Sequence, residues 1–420
     1  MFALCDCNNF FVSCERIFRP DLQHTPVVVL SGNDGCVVAR SNEVKRLGIK
    51  MGIPFYQIKE QVDKYGIVHF SSNFALYGDI SSRIMRILSR YTDDLQQYSI
   101  DEAFLDLSYC RDAAEAKALC EQIRTEILKG IGVPVSFGIA PTKTLCKVAS
   151  EYAKKYAGYR GVCSIYTEEQ RIKALTGYPI GEVWGIGRQS TAKLLNFGIQ
   201  SALDFASHSA SFVLAQLHQP GLDTWRELNG EDCISTRELP EKQSITCSRT
   251  FAHGVTDRSL LENAMSMFCA NVAEKLRKQH SVCNQMIVFA HTSRFGEHIT
   301  AIHAAITFQT ATANTQEMIA ALLRVVRQQW QANTPYKRAG VILTAISPDN
   351  GIQTSLFDTR DRERDSRLQK TLDHINTKAG KHAVGFTPQI ATQRSHQLYD
   401  VGAKSPAYTT RLQEIITLHC

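Results

Sequence analysis

Two acids stand side by side, Asp101 and Glu102, in the string Tyr98-Ser99-Ile100-Asp101-Glu102-Ala103-Phe104-Leu105-Asp106, and a third, Asp6, interrupts the apolar run from Phe2 to Cys7. An ionised carboxylate buried in such a run is costly unless it is paired or binds a metal. Three carboxylates brought together would hold two divalent cations about 3.5 to 4 Å apart, able to bind a triphosphate, activate an attacking hydroxyl and stabilise the leaving oxygen. That is the chemistry of nucleotidyl transfer. An acidic pair in a hairpin is more commonly just solvated. The metal reading rests on placement: apolar residues flank each acid, so the backbone enters a sheet while the carboxylates project from its end.

The elements that must position these acids can be read from periodicity. The first module runs β (Phe2 to Cys7), a long insertion, β (Gln97 to Ile100), β (Ala103 to Leu107), α (Asp112 to Lys129) and β (Val135 to Ile139). Ala116, Leu119, Cys120, Ile123 and Ile127 keep helical spacing, and Lys129-Gly130 reads as the helix stop. The order βαββαβ predicts a ferredoxin-like sheet, in which the first and third strands are central neighbours. Asp6 and the Asp101-Glu102 turn then meet at one sheet edge. Asp106, further along the strand, has no such mate and reads as structural. Within the insertion, a strand over Pro26 to Leu30 leads to a polar turn, the small residues Cys36 to Ala39, and a basic helix with Arg40, Lys45 and Arg46. Downstream, Pro141-Thr142-Lys143 opens a helix carrying Lys143, Lys147, Lys154 and Lys155.

Two further modules follow. Trp184-Gly185-Ile186-Gly187 leads into an apolar-periodic segment with Arg188 and Lys193, a pattern expected of a helix-hairpin-helix whose free amides take a DNA phosphate without reading bases. Between Lys242 and Ser347 strands alternate with helices, giving a second α+β domain. Ser347 to Gly351 breaks that pattern, and the remaining tail is polar with a charge run from Arg360 to Arg367.

Composition bounds the rest. A chain of 420 residues suggests about three domains. No apolar run approaches the roughly 18 residues of a membrane span, and Asp6 breaks the apolar N-terminus, so neither a membrane anchor nor a secretory signal is expected and the location is cytoplasmic. The 13 cysteines lack any CxxC pair and read as reduced core residues, not disulfides or zinc ligands. A net charge of +6 is mildly basic, with Lys and Arg in excess over residues 141–200 and 241–350, which agrees with nucleic-acid binding without requiring it.

Taken together, Asp6 to Glu15, Tyr98 to Phe104, Pro141 to Lys147 and the Trp184 to Gly187 hairpin resemble the Y-family of translesion DNA polymerases. The tail segment Ser405 to Thr410 is similar to the UmuC-like branch in particular. The resemblance covers the whole chain. It implies an α+β multidomain architecture: a ferredoxin-like palm with small fingers over 1–176 (fingers about 19–77), a helical thumb with a helix-hairpin-helix over 177–240, an α+β little finger over 241–348, and a regulatory tail over 349–420.

The resemblance also implies the site. Asp6, Asp101 and Glu102 are catalytic and hold two Mg2+ ions with the backbone carbonyl of Cys7. Phe11 is the steric gate that rejects a 2′-hydroxyl, and its neighbour Phe10 has a core role. Phe10, Phe11, Cys36, Val38, Lys45 and Lys154 bind the nucleotide, although Ala39 and Asn42 stand where the family more often has Thr and Tyr. Gly185, Gly187, Arg188 and Lys193 hold DNA, and Gln353, Leu356 and Phe357 dock into a sliding clamp. Implied partners are primer-template DNA, a deoxynucleoside triphosphate, a processed UmuD-like homodimer, a RecA filament and the clamp. The expected activity is error-prone translesion synthesis in SOS mutagenesis. A nucleotidyl cyclase, which uses a similar sheet and two metals, is the first rival reading and needs neither the DNA hairpin nor the clamp peptide; a DNA-bound scaffold with a catalytically idle polymerase fold is the second.

Overall fold

The computed structural model describes residues 1–236, 241–293, 295, 299–351, 353, 358, 360–380, 383–387 and 402–416. The chain forms two compact units: Met1–Ser31, Gly35–Leu239 and Ala403–Cys420 make the first, and Gly32–Asp34 with Pro240–Gly402 the second.

The first unit is built on a five-stranded sheet. Its strands are β1 (Phe2–Cys7), β5 (Leu95–Gln97), β6 (Glu102–Asp106), β7 (Val135–Ala140) and β8 (Val162–Ser164), in the order β5-β6-β1-β7-β8. β1 runs antiparallel to both β6 and β7, and the first and third strands of the βαββαβ unit are neighbours as expected, with Asp6 opposite Glu102. A smaller sheet of β2 (Val27–Leu30), β3 (Val37–Arg40) and β4 (Val68–Ser71), with α2 (Asn42–Arg46) and α3 (Lys59–Tyr65), fills the insertion.

Alternation along β1 decides which acid faces which helix. Ala3, Cys5 and Cys7 enter a core with α1 (Phe10–Phe18), α4 (Phe74–Leu88) and α5 (Ala113–Ile131). Phe2 and Leu4 enter a second core with Phe104 and α6 (Lys143–Lys155). Asp6 and Glu102 share the parity of Leu4 and Phe104, so they belong to the α6 face. α6 lies unusually close to β7 there: a Cβ added at Gly138 would sit 2.1 Å from the Cys146 carbonyl oxygen and 2.3 Å from the Ser150 nitrogen. Its N-terminus is fixed by Glu227, which is fully buried and whose Oε2 accepts from the Thr144 amide at 2.8 Å. A carboxylate at a helix N-terminus is favoured by the helix dipole.

α7 (Glu168–Thr176), α8 (Arg188–Asn196), α9 (Ala202–Ala206) and α10 (Ala210–Leu228) complete the first unit, α10 being broken at His218 (φ 58°) ahead of Pro220. The second unit carries β9 (Ile245–Val255), α11 (Arg258–Lys278), β10 (Ser281–His291), β11 (Ala301–Thr312), α12 (Thr315–Gln329) and β12 (Tyr336–Pro348) in a four-stranded antiparallel sheet ordered β11-β10-β12-β9. α13 (Arg362–Ala379) is pinned to it by a bidentate pair from Arg277 to Asp373, both contacts at 2.7 Å, and by Arg362 to Glu317 at 2.8 Å.

Several expectations need correcting. The helix expected to stop at Lys129-Gly130 continues to Ile131 and ends at Gly132, whose φ of 88° supplies the left-handed cap. The strand expected over Gln97 to Ile100 lies at Leu95–Gln97, because the Tyr98 and Ser99 amides both turn back to the Glu102 carbonyl. Arg40 ends a strand instead of lying in a basic helix. The element before the glycine hairpin is a single 3-10 turn, Ile180–Glu182, not a full helix. The charge run of the tail is helical. Among the described residues the cysteines are free thiols, most of them buried, and no helix is long and apolar enough to cross a membrane.

Candidate active site

The end of β1 gathers the acids and the basic residues of α6. The Cys7 amide donates to the Asp101 carbonyl at 3.0 Å, which ties the Asp101-Glu102 turn to the strand carrying Asp6. Lys147 and Lys154, seven residues apart and so two turns apart on one face of α6, reach the two acids of that face. Lys154 donates to Asp6 Oδ2 at 2.5 Å and Lys147 donates to Glu102 Oε1. Burial pushes the Asp6 carboxyl up to about 7; Lys154 pulls it down and Glu102 adds to the rise. Burial also opposes the Lys154 charge, but the Asp6 charge and hydrogen bond outweigh it and its pKa is raised.

Asp101 is placed differently. Its Oδ1 accepts from the Ser99 hydroxyl at 2.5 Å. Its charge adds to the rise in the pKa of both Cys7 and Cys14, behind burial, Cys5 and Asp6 at Cys7 and behind burial and Glu15 at Cys14. Asp101 lies in the turn just before β6, which begins at Glu102. Among the described residues no group of three His, Cys, Asp or Glu side chains stands in position to hold one ion. The donor set nevertheless suits hard cations: two carboxylates on one face, one of them with its pKa raised by burial, and a third on the same turn. Cys7 has a buried side chain, which leaves only its backbone to serve as a ligand.

The aromatic pair divides sharply. The Phe10 side chain is buried in the core, which leaves its backbone as the part a nucleotide could meet. Phe11 is half-buried and stacks on Tyr77 with ring centroids 4.5 Å apart and 15° between planes, while Phe74 meets it edge-on at 6.1 Å. Lys45 has its pKa lowered, first by burial and then by the nearby charges of Arg40 and Lys154, so three cations share one neighbourhood. Asn42 accepts from the Asn9 amide group at 3.1 Å, and Cys36, just before β3, and Val38, on it, are half-buried.

Gly185 (φ 90°), Gly187 and Arg188 are exposed, and Gly187 caps α8 without a side-chain bond to its first amides. Lys193 is committed elsewhere, donating to the Gln216 carbonyl at 2.8 Å. Gln353 is exposed; Leu356 and Phe357 lie outside the described residues.

The sequence places Lys147 on α6 without a role at the site; it sits 4.6 Å above the Tyr98 ring while Trp184 donates to the Tyr98 hydroxyl at 3.0 Å. Its i, i+7 spacing from Lys154 was the available signal. Lys143, by contrast, is buried against Phe2 and paired with Asp232 at 3.0 Å, a structural role.

A family model described as impB/mucB/samB matches residues 5–151, and its C-terminal domain matches residues 242–356. A third model, a domain of unknown function (DUF4113), matches residues 366–418. The chain is 39% identical to Protein UmuC of Salmonella typhimurium over 99% of both chains, and 35% identical to Protein MucB of Escherichia coli over 93% of both. It is 26% identical to DNA polymerase IV of Clostridium acetobutylicum over 90% of this chain and 95% of that one. Its fold matches a solved Y-family DNA polymerase chimera of Dbh and Dpo4, with a TM-score of 0.64 over 83% of this chain and all of the other at 22% identity. With strand-end acids, helix lysines and chain-long similarity all in agreement, the chain belongs to the impB/mucB/samB family, the UmuC-like branch of the Y-family DNA polymerases.

Proposed function

We infer that this polymerase adds deoxynucleotides to a primer 3′ end opposite damaged template, with low fidelity, in SOS mutagenesis. The observation that carries the reading is the juxtaposition of Asp6 and Glu102 across β1 and β6 with Lys154 and Lys147 above them. Residues 1–176 serve as palm and fingers (fingers about 19–77), 177–240 as thumb, 241–348 as little finger and 349–420 as a regulatory tail.

Asp6, Asp101, Glu102 and the Cys7 carbonyl would hold two Mg2+ ions, which when bound lower the pKa of the primer hydroxyl and neutralise the triphosphate. The protein's own part is positioning and charge. Lys154, Lys45 and Arg40 present positive charge to the phosphates. The exposed edge of Phe11 lies under the sugar, where a 2′-hydroxyl would clash. Small Cys36 and Val38 leave room above the base pair for a distorted template base. The free amides at Gly187 and the Arg188 guanidinium take a template phosphate, and Gly185 makes the turn. A UmuD-like homodimer, a RecA filament and a sliding clamp held through Gln353, Leu356 and Phe357 complete the assembly.

Magnesium-dependent primer extension by the assembled complex tests the reading. Asp101→Asn should reduce extension by on the order of 100-fold or more, whereas Asp106→Asn should retain it. Cyclic nucleotide formation without DNA would overturn it.

A further inference from the structure

Residues 403–416 fall in the first unit, among residues nearly 400 positions earlier in the chain. Lys404 bridges Ser71, at the end of β4, in parallel register, and Ser71 and Ala403 exchange two hydrogen bonds of 3.0 and 3.1 Å. Tyr408 stacks on Phe18 with centroids 4.4 Å apart. Asn73 joins this strap to α4. Its Oδ1 accepts from the Leu76 amide as the helix N-cap, while its Nδ2 donates to the Ser405 and Pro406 carbonyls at 3.0 and 3.1 Å.

Beneath the strap lies Glu15, fully buried and without an ion pair among the described residues. One carboxylate oxygen, Oε1, accepts both the Tyr77 hydroxyl at 2.6 Å and the Ser405 hydroxyl at 3.0 Å, and the other oxygen is buried without a partner. Holding an acid there is costly, and it acts where selectivity is at stake. Glu15 is one turn from Phe11 on α1, and Tyr77, whose hydroxyl it anchors, carries the ring that backs Phe11.

The geometry points to Ser405 as a positioning residue for the Phe11 gate: through Glu15 and Tyr77 the C-terminal strap sets the ring that discriminates between deoxyribose and ribose. This rests on the reading of Phe11 as that gate. With both hydroxyls in place the Glu15 carboxylate is held from two sides and Tyr77 has a fixed acceptor. With Ser405 removed, one donor remains, the carboxylate can turn, and the stack behind Phe11 loosens. The strap thereby gives the domain of unknown function a role in nucleotide choice.

Single-nucleotide insertion of matched deoxy- and ribonucleotides on primed DNA, by the full-length chain in its assembled complex, tests this. Ser405→Ala should lower sugar discrimination roughly two- to tenfold, with deoxynucleotide kcat/KM changed by no more than about twofold. Tyr77→Phe, which removes one oxygen without changing shape, should do the same, and the double variant should be no worse than either single one. Additive losses, or unchanged discrimination in both single variants while Phe11→Ala lowers it, would overturn the relay and leave the gate standing. Unchanged discrimination in Phe11→Ala would overturn both.

Discussion

Lys154 donates to Asp6 at 2.5 Å, which places an ammonium group directly on the acid one residue before the end of β1. Lys147 makes the equivalent contact with Glu102 two turns earlier on the same helix. The close seating of α6 on Gly138 of β7 makes these contacts possible. The two acids on the α6 face are thus charge-balanced by one helix face, and a bound triphosphate would compete with Asp6 for the same ammonium.

Lys154→Ala should therefore lower kcat/KM for nucleotide insertion by about 10- to 100-fold, the range of a charge-assisted hydrogen bond. The loss should appear mainly in KM. Steady-state insertion kinetics check it, with Lys154→Arg retaining the charge but not the point geometry and falling between the two.

At the glycine hairpin, stability and DNA binding should separate. A Cβ at Gly185 would lie 2.4 Å from Thr224 Oγ1 in a backbone with φ of 90°, so Gly185→Ala should destabilise the fold by about 1–3 kcal/mol. Arg188 is exposed. Arg188→Ala should leave the melting temperature unchanged while weakening DNA binding and reducing its salt slope by about one. Thermal melts and salt-dependent binding titrations distinguish the two.

Burial raises the Glu15 pKa, opposed by the hydrogen bonds from Tyr77 and Ser405. The folded chain then holds this proton to higher pH than the unfolded chain does, so the contribution of Glu15 to stability is greatest below the unfolded carboxylate value and declines as pH rises through the folded one. Glu15→Gln should remove that decline and raise the melting temperature at neutral pH by roughly 2–4 °C for about 1 kcal/mol. Melting curves from acid to neutral pH check it; a parallel pH dependence in the variant would show that other groups are responsible.

Local pattern accounts for much of what was legible in the sequence. The apolar run ending at Asp6 forms β1 because every residue in it is buried, and the Asp101-Glu102 turn opens β6 beside it because the βαββαβ order makes those strands neighbours. The alternation of strands and helices expected between Lys242 and Ser347 likewise appears as β9 to β12 with α11 and α12. Phe10 and Phe11, by contrast, are indistinguishable in sequence, and only the α1 packing buries one and leaves the other half-exposed.

The sequence by itself determined the family, the βαββαβ order of the first module, the second α+β module and the identity of the strand-end acids, because these depend on short motifs or on a repeated hydrophobic period. Only the tertiary structure decided that two lysines of α6 pair with Asp6 and Glu102, and that Ser405 meets Glu15 across 390 residues of chain. Such contacts are set by side-chain parity on a strand, by how closely a helix can seat on a glycine, and by where a distant segment returns, none of which leaves a local period to read.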